Sequence, residues 1–165
     1  MEDVLGPDRR PATADAALRR LRECCAHNPN DPRAFLDLAN EYDMLDREEE
    51  AEQAYEKVRA LGLDGLSPED RAHWFIQFGS TLRLLGKLEA SQAILQQGEE
   101  AFPANPAMPA FRALTALADN CPRQAALVLL EATLRLPHEE IARYRRALTN
   151  YVAELAEAAQ RPHGL

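Results

Sequence analysis

The chain predicts an all-α fold, an array of about eight helices paired into hairpins, and three observations carry that expectation. One helical template recurs. Ala17, Leu21, Cys24 and Pro29 are followed at the same spacing by Ala51, Tyr55, Val58 and Leu63, then by Ser91, Leu95, Gly98 and Pro103. A fainter copy is Ala126, Leu130, Thr133 and His138, so the successive offsets are 34, 40 and 35 residues. Apolar residues in nearly every segment fall three or four apart, the period of a one-faced helix. The 11 prolines stand mainly between those segments, and glycine is scarce, with 7 in 165 residues. A period near 34 built of helical units marks a repeat array, in which each unit buries its apolar face against its neighbours.

The elements follow in order. Residues 1–12 carry Gly6, Pro7 and Pro11 among charges and read as a flexible tail. The first helix runs from about Ala14 to Ala26 with Thr13 as N-cap, its apolar face being Ala17, Leu18, Leu21, Cys24 and Cys25. The second spans about Pro32 to Met44. Asp31 caps it, and Pro32 takes the first position, where a missing N–H costs nothing. The third covers about Arg47 to Leu61, with Ala51, Ala54, Tyr55 and Val58 inward and Gly62 at its left-handed end. Glu48, Glu49, Glu50 and Glu52 crowd its start, where the helix dipole favours negative charge.

Ser67-Pro68-Glu69-Asp70 is an N-cap, a first-position proline and a capping-box acid in order, so the fourth helix starts there and continues to about Leu85. It is longer than its equivalents, which accounts for the one interval of 40. Gly86 closes it. The fifth helix runs from about Lys87 to Phe102, and the sixth from about Pro106 to Asp119 with Pro109 in its first turn. The seventh spans about Pro122 to Leu136. Its unbroken apolar run, Ala125 to Leu130, predicts cover on more than one side. The eighth begins near Pro137 and reaches Gln160 on a stripe of Ile141, Tyr144, Leu148, Tyr151, Val152 and Leu155. One helical domain over residues 13–160, between flexible tails at 1–12 and 161–165, is the resulting organisation.

Bulk properties narrow the function classes. A net charge of −8 argues against nucleic acid, which needs a basic footprint to displace counterions. No apolar run reaches the roughly 18 residues of a membrane span. The N-terminus is polar and of mixed charge, unlike a secretory signal. Three cysteines, Cys24, Cys25 and Cys121, fit a reducing compartment better than a disulfide framework. A cytoplasmic location is expected. Only Lys57 and Lys87 are lysines among 19 basic residues, and with the many alanines this usage suggests a bacterial genome rich in G and C.

Phe35, Leu38-Ala39 and Tyr42, with Ala51, Tyr55 and Val58, resemble the tetratricopeptide repeat pattern of an aromatic, a large–small pair, a second aromatic and small residues in the second helix. Phe75, Phe78-Gly79, Leu82, Gly86, Ser91, Leu95, Gly98 and Pro103 repeat it. In the next pair Ala110, Ala113-Leu114 and Leu117 depart from the signature, and Cys121 stands where a turn glycine is usual. The whole is similar to small bacterial tetratricopeptide repeat (TPR) proteins. The resemblance implies a right-handed α–α superhelix with a leading half repeat, two good repeats, a degenerate third and a C-terminal capping helix.

The resemblance also implies where a ligand would sit, in a concave groove lined by the second, fourth and sixth helices. Residues expected to face it are Arg33, Leu36, Asn40, Asp43 and Met44 on the second, and His73, Ile76, Ser80, Arg83 and Leu84 on the fourth. On the sixth they are Met108, Phe111, Thr115 and Asp119. Arg33, Asn40, Met44, His73, Ser80, Arg83 and Phe111 are the candidate binding set. The family's clamp for a peptide carboxylate is incomplete here, since Leu36, Phe111 and Thr115 stand where its basic residues would be.

Chemistry finds little support. Adjacent Cys24 and Cys25 point about 100° apart on a helix, and no second Cys–His pair follows at ligand spacing, so they read as core filling. His138-Glu139-Glu140 lacks the second histidine of a zinc-protease motif, and Trp74 is expected in the repeat seam. No catalytic residue, cofactor or metal is assigned. The expected function is a non-catalytic module that binds a protein or peptide. Two other readings stand beside it: self-association through the seventh or eighth helix without a separate ligand, and a small secretion-type chaperone.

Overall fold

Eight α-helices and one 3₁₀ turn succeed one another, with no strand, among the residues that the computed structural model describes, 10–160. They are α1 (Arg10–His27), α2 (Pro32–Met44), α3 (Glu48–Leu61), α4 (Pro68–Leu84), α5 (Leu88–Ala101), α6 (Ala107–Ala118), α7 (Pro122–Leu134) and α8 (Glu139–Gln160). The 3₁₀ turn, Leu63–Gly65, lies in the α3–α4 connection. The all-α expectation holds. Residues 1–9 and 161–165, most of the two expected tails, fall outside the described residues.

Caps explain the boundaries. The Asp31 carboxylate accepts from the Arg33 N–H at 2.9 Å ahead of Pro32. Ser67 Oγ accepts from the Asp70 N–H at 3.1 Å, the expected N-cap bond, and donates to Asp70 Oδ2 at 2.8 Å, so the acid of the expected capping box bonds the cap's hydroxyl. Thr13 is not a cap, because α1 already begins at Arg10. Within α1, Leu18 and Cys25 are buried while Cys24 is exposed, which moves the apolar face off Cys24.

The chain packs as two compact units, one ending at Thr81 and the other starting at Leu82, and α4 runs unbroken through the division. In the first unit α2 packs on α1 and α3. Ala39, Ala51, Tyr55 and Val58 are all fully enclosed, and Trp74 is only 1% exposed. Trp74 Nε1 donates to the Tyr55 carbonyl at 3.2 Å, and the Phe78 ring stacks on Tyr55 with centroids 5.6 Å apart. Trp74 therefore sits in the seam between helix pairs, as expected. Leu66, an unforeseen core residue, is buried from the α3–α4 connection.

In the second unit α5, α6, α7 and α8 pack in succession. Ser91 and Thr115 share a buried hydroxyl–hydroxyl bond of 2.9 Å, and Ala113, Ala116, Ala125 and Val128 form one small-residue cluster. The apolar run on α7 is covered at Ala125, Leu127 and Val128 only, for Leu129 is 45% exposed.

A repeated turn sets the register. Arg47 N–H bonds the Tyr42 carbonyl and Asp46 N–H that of Asp43, which is a Schellman ending for α2. The same pair of bonds links Lys87 to Leu82 and Gly86 to Arg83 after α4, and Cys121 to Ala116 and Asn120 to Leu117 after α6. The left-handed residues are Asp46, Gly86 and Asn120, with φ of 54°, 73° and 55°. The counterpart of Gly86 is thus Asn120, not Cys121. Shifting the third repeat by one residue puts Ala125, Leu129, Ala132 and Pro137 in line with Ser91, Leu95, Gly98 and Pro103. Ala126 and His138 leave the template. On α6 the signature positions become Pro109, Arg112-Ala113 and Ala116, so an arginine replaces the large apolar residue.

Candidate functional site

The candidate residues of the first unit lie on α2 and α4. Arg33, in the first turn of α2, reaches Asp37 on its own helix (Nε–Oδ1 3.0 Å) and Asp70 on α4 (Nη1–Oδ1 2.7 Å). Asp70 is itself tied to the Ser67 cap. That hydroxyl, with Arg33 behind it, holds the Asp70 carboxyl below the ordinary carboxylate range. Arg33 therefore joins the starts of the two helices while its side chain stays 52% exposed.

Further along the same helices lies a hydrogen-bonded cluster. Asn40 Oδ1 accepts from Tyr55 Oη at 3.0 Å and stands 3.2 Å from His73 Nε2, a distance that fits donation by the ring N–H. The Tyr55 hydroxyl lies 2.6 Å from Asp43 Oδ2, and Thr81 Oγ1 lies 2.9 and 3.1 Å from the two Asp43 oxygens. Burial pushes the Asp43 carboxyl up, opposed by the Tyr55 and Thr81 hydrogen bonds and by nearby His73. Burial and then the Asp43 charge push the Tyr55 hydroxyl up as well, so it remains a donor. Asn40 and His73, two expected site residues, are brought together, and His73 remains exposed. Met44 is 71% exposed at the end of α2, and Ser80 is half-buried on α4.

Arg83 and Phe111 belong to the second unit, and both are half-buried. On α6, Leu114 and Leu117 are 46% and 53% exposed. In the corrected register they occupy the repeat positions of Asn40 and Asp43, so positions that are polar in the first repeat are apolar in the third. Three other expected groove residues are not on any surface: Leu36, Met108 and Thr115 are at most 1% exposed. Leu36 is drawn into the α2 core face, and Thr115 is turned inward onto Ser91.

Two members of the polar cluster were not foreseen. The inward aromatic position of Tyr55 accounts for its buried ring but not for its hydroxyl, which bonds Asn40 and Asp43. Thr81 carried no signal, because its bond to Asp43 spans 38 residues. In the second unit a separate polar knot joins three helical segments: Glu99 on α5, at 9% exposure, pairs with Arg112 on α6 (2.5 Å) and with Arg135 just after α7. Within it Arg112 stands at the position that a large apolar signature residue holds in the earlier repeats.

No helix among the described residues is long and apolar enough to cross a membrane. A family model described as tetratrico peptide repeat matches residues 32–155. No curated protein and no solved structure matches the chain.

Proposed function

The chain belongs to the tetratricopeptide repeat family, whose repeats generally mediate protein–protein interaction without catalysis, and from that premise we propose that it binds a peptide or partner segment on the face shared by α2 and α4. The observation that carries this reading is the cross-linked polar set Asn40, Asp43, His73 and Thr81, fixed by side-chain hydrogen bonds and open at His73. A face already ordered loses little side-chain entropy when a ligand docks. Met44 supplies an exposed, adaptable apolar contact beside it, and Arg33 and Ser80 extend the polar part. Arg83 and Phe111 are proposed as contact positions of the second unit, next to the exposed Leu114 and Leu117 on α6.

A displayed library of random peptides, selected on the full chain, tests this reading. Enriched peptides are expected to bind Asn40→Ala and His73→Ala about tenfold more weakly, the loss from one or two hydrogen bonds of about 1 kcal/mol each. Circular dichroism of both variants should match the original. A selection that enriches nothing, or peptides indifferent to both substitutions, would end this reading.

A further inference from the structure

The hydrogen-bonded cluster that joins α2, α3 and α4 has more contacts than protons to fill them. Tyr55 Oη meets Asp43 Oδ2 at 2.6 Å and Asn40 Oδ1 at 3.0 Å. Thr81 Oγ1 meets the two Asp43 oxygens at 2.9 and 3.1 Å and the Gln77 carbonyl of its own helix at 2.9 Å. Each hydroxyl has one proton to give, and all of these neighbours are acceptor oxygens. An ionised Asp43 would draw both protons, because a charged acceptor makes the stronger bond. Tyr55 Oη and Asn40 Oδ1 would then face each other with lone pairs alone. A proton on Asp43 removes that conflict. The carboxyl donates to Tyr55 Oη, and Tyr55 gives its own proton to Asn40 Oδ1. The observed arrangement is therefore the one that suits neutral Asp43.

The same count defines a second state. When Asp43 loses its proton, Tyr55 turns its hydroxyl to the carboxylate. Asn40 is then satisfied only with its amide turned over, Nδ2 inward and donating to Tyr55 Oη. The His73 ring, 3.2 Å from the inward amide atom, accommodates both states. Its Nε2 donates to Oδ1 in the first and, in the neutral ring, accepts from Nδ2 in the second. The other end of the half-buried Asn40 amide is turned away from Tyr55 and His73. That outward end is the donor Nδ2 when Asp43 is neutral and the acceptor Oδ1 when it is ionised. Besides Tyr55, the titratable groups acting on Asp43 are Glu48 of α3 and His73 of α4. Burial is the largest influence and favours the neutral carboxyl; Glu48 adds to it, while Tyr55, Thr81 and His73 oppose it.

We propose that Asp43 is a proton-operated switch for the α2–α4 face, acting through Tyr55 to set which end of the Asn40 amide a ligand meets. This rests on the binding role proposed above for that face. On the acid side of the Asp43 midpoint the face presents a donor and selects a carbonyl or carboxylate of the ligand. On the alkaline side it presents an acceptor and selects an N–H or O–H. The device needs no movement of α2 or α4, only a reversed chain of hydrogen bonds. Tyr55 is a positioning residue, since it acts on the ligand only through Asn40.

Nuclear magnetic resonance of the full chain, titrated over pH without ligand, tests the relay. The Asp43 carboxyl carbon is assigned by the loss of its titration in Asp43→Asn, and the Asn40 amide group by its loss in Asn40→Ala. Asp43 is expected to titrate above the ordinary aspartate range, and the Asn40 amide signals to shift with the same midpoint. Tyr55→Phe keeps the buried ring and should abolish most of that shift, whereas His73→Ala should leave Asn40 following Asp43. Asn40 signals that ignore the Asp43 midpoint, or follow it as strongly in Tyr55→Phe, overturn the proposal. So does an Asp43 that titrates in the ordinary range. A selected peptide without titratable side chains separates this from the binding role. Its affinity should change about tenfold across the Asp43 midpoint and lose that step in Tyr55→Phe. Equal affinity on both sides ends the switch and leaves the binding role standing. A selection that enriches nothing ends the binding role, while the resonance titration still decides the relay.

Discussion

Two enclosed carboxyl groups respond to their surroundings in opposite senses. At Asp43 burial dominates and raises the pKa. Its contribution to stability is therefore present below the unfolded-state value and lost as pH rises through the folded-state one. At Glu99 burial pushes up as well, but Arg112 and Arg135 outweigh it and hold the carboxyl low. Its contribution is present above the ordinary glutamate value and lost as pH falls through the folded-state one. Glu99→Gln leaves a mostly buried Arg112 without its anion and should cost about 3 kcal/mol at neutral pH, the penalty shrinking as the pH is lowered into the acid range. Asp43→Asn keeps an acceptor for Tyr55 and Thr81. Relative to the original chain it should gain stability as pH rises from acid to neutral. Urea unfolding of the three proteins at acid and neutral pH checks both slopes, and parallel slopes would show that neither environment acts as described.

Among the elements, the helix endings carry the repeat more faithfully than the helix faces. The endings of α2, α4 and α6 have the same Schellman bonds, with Asp46, Gly86 and Asn120 at the left-handed position. Gly86 has open space where a Cβ would be. Gly86→Ala therefore isolates backbone strain and should cost about 1 kcal/mol, whereas Asn120→Gly should gain a few tenths. Thermal melts of the two variants measure the difference, and equal melting temperatures would remove the backbone account. These endings also explain what was legible in the sequence. Caps such as Asp31, Ser67 and Gly86 are local, so α2 and α4 were placed to within a residue. Asn120 takes the left-handed position without the glycine that marks such an ending, so the spacing of the third repeat reads one residue out of register. Residues of the candidate site were readable only as positions on a helix. Asn40 meets His73 because two helices align 33 residues apart, and Leu36 and Thr115 turn inward because cores take the residues that fit them. Neither outcome is written in local spacing.

For the molecule as a whole, α4 is the element on which cooperativity depends. It runs from Pro68 to Leu84 without interruption, although the packing divides at Thr81 and Leu82. In a repeat array, neighbouring units melt together when the coupling between them exceeds their difference in stability. An unbroken helix supplies such coupling, because unfolding one unit frays the backbone that the other needs. A local probe is built in: Trp74, the chain's single tryptophan, is enclosed in the first unit against Tyr55 and Phe78, whereas far-ultraviolet circular dichroism reports every helix. Tryptophan fluorescence and circular dichroism should therefore give one coincident unfolding transition for the original chain. Ser80→Pro removes a helix hydrogen bond and clashes with the Ile76 carbonyl, which costs about 3 kcal/mol or more. It does so one turn before the end of α4. Two separated midpoints are expected for that variant, with fluorescence following the less stable one, because the proline falls in the first unit. If the two probes already diverge in the original chain, or still coincide after Ser80→Pro, α4 does not couple the units and their stabilities must be treated separately.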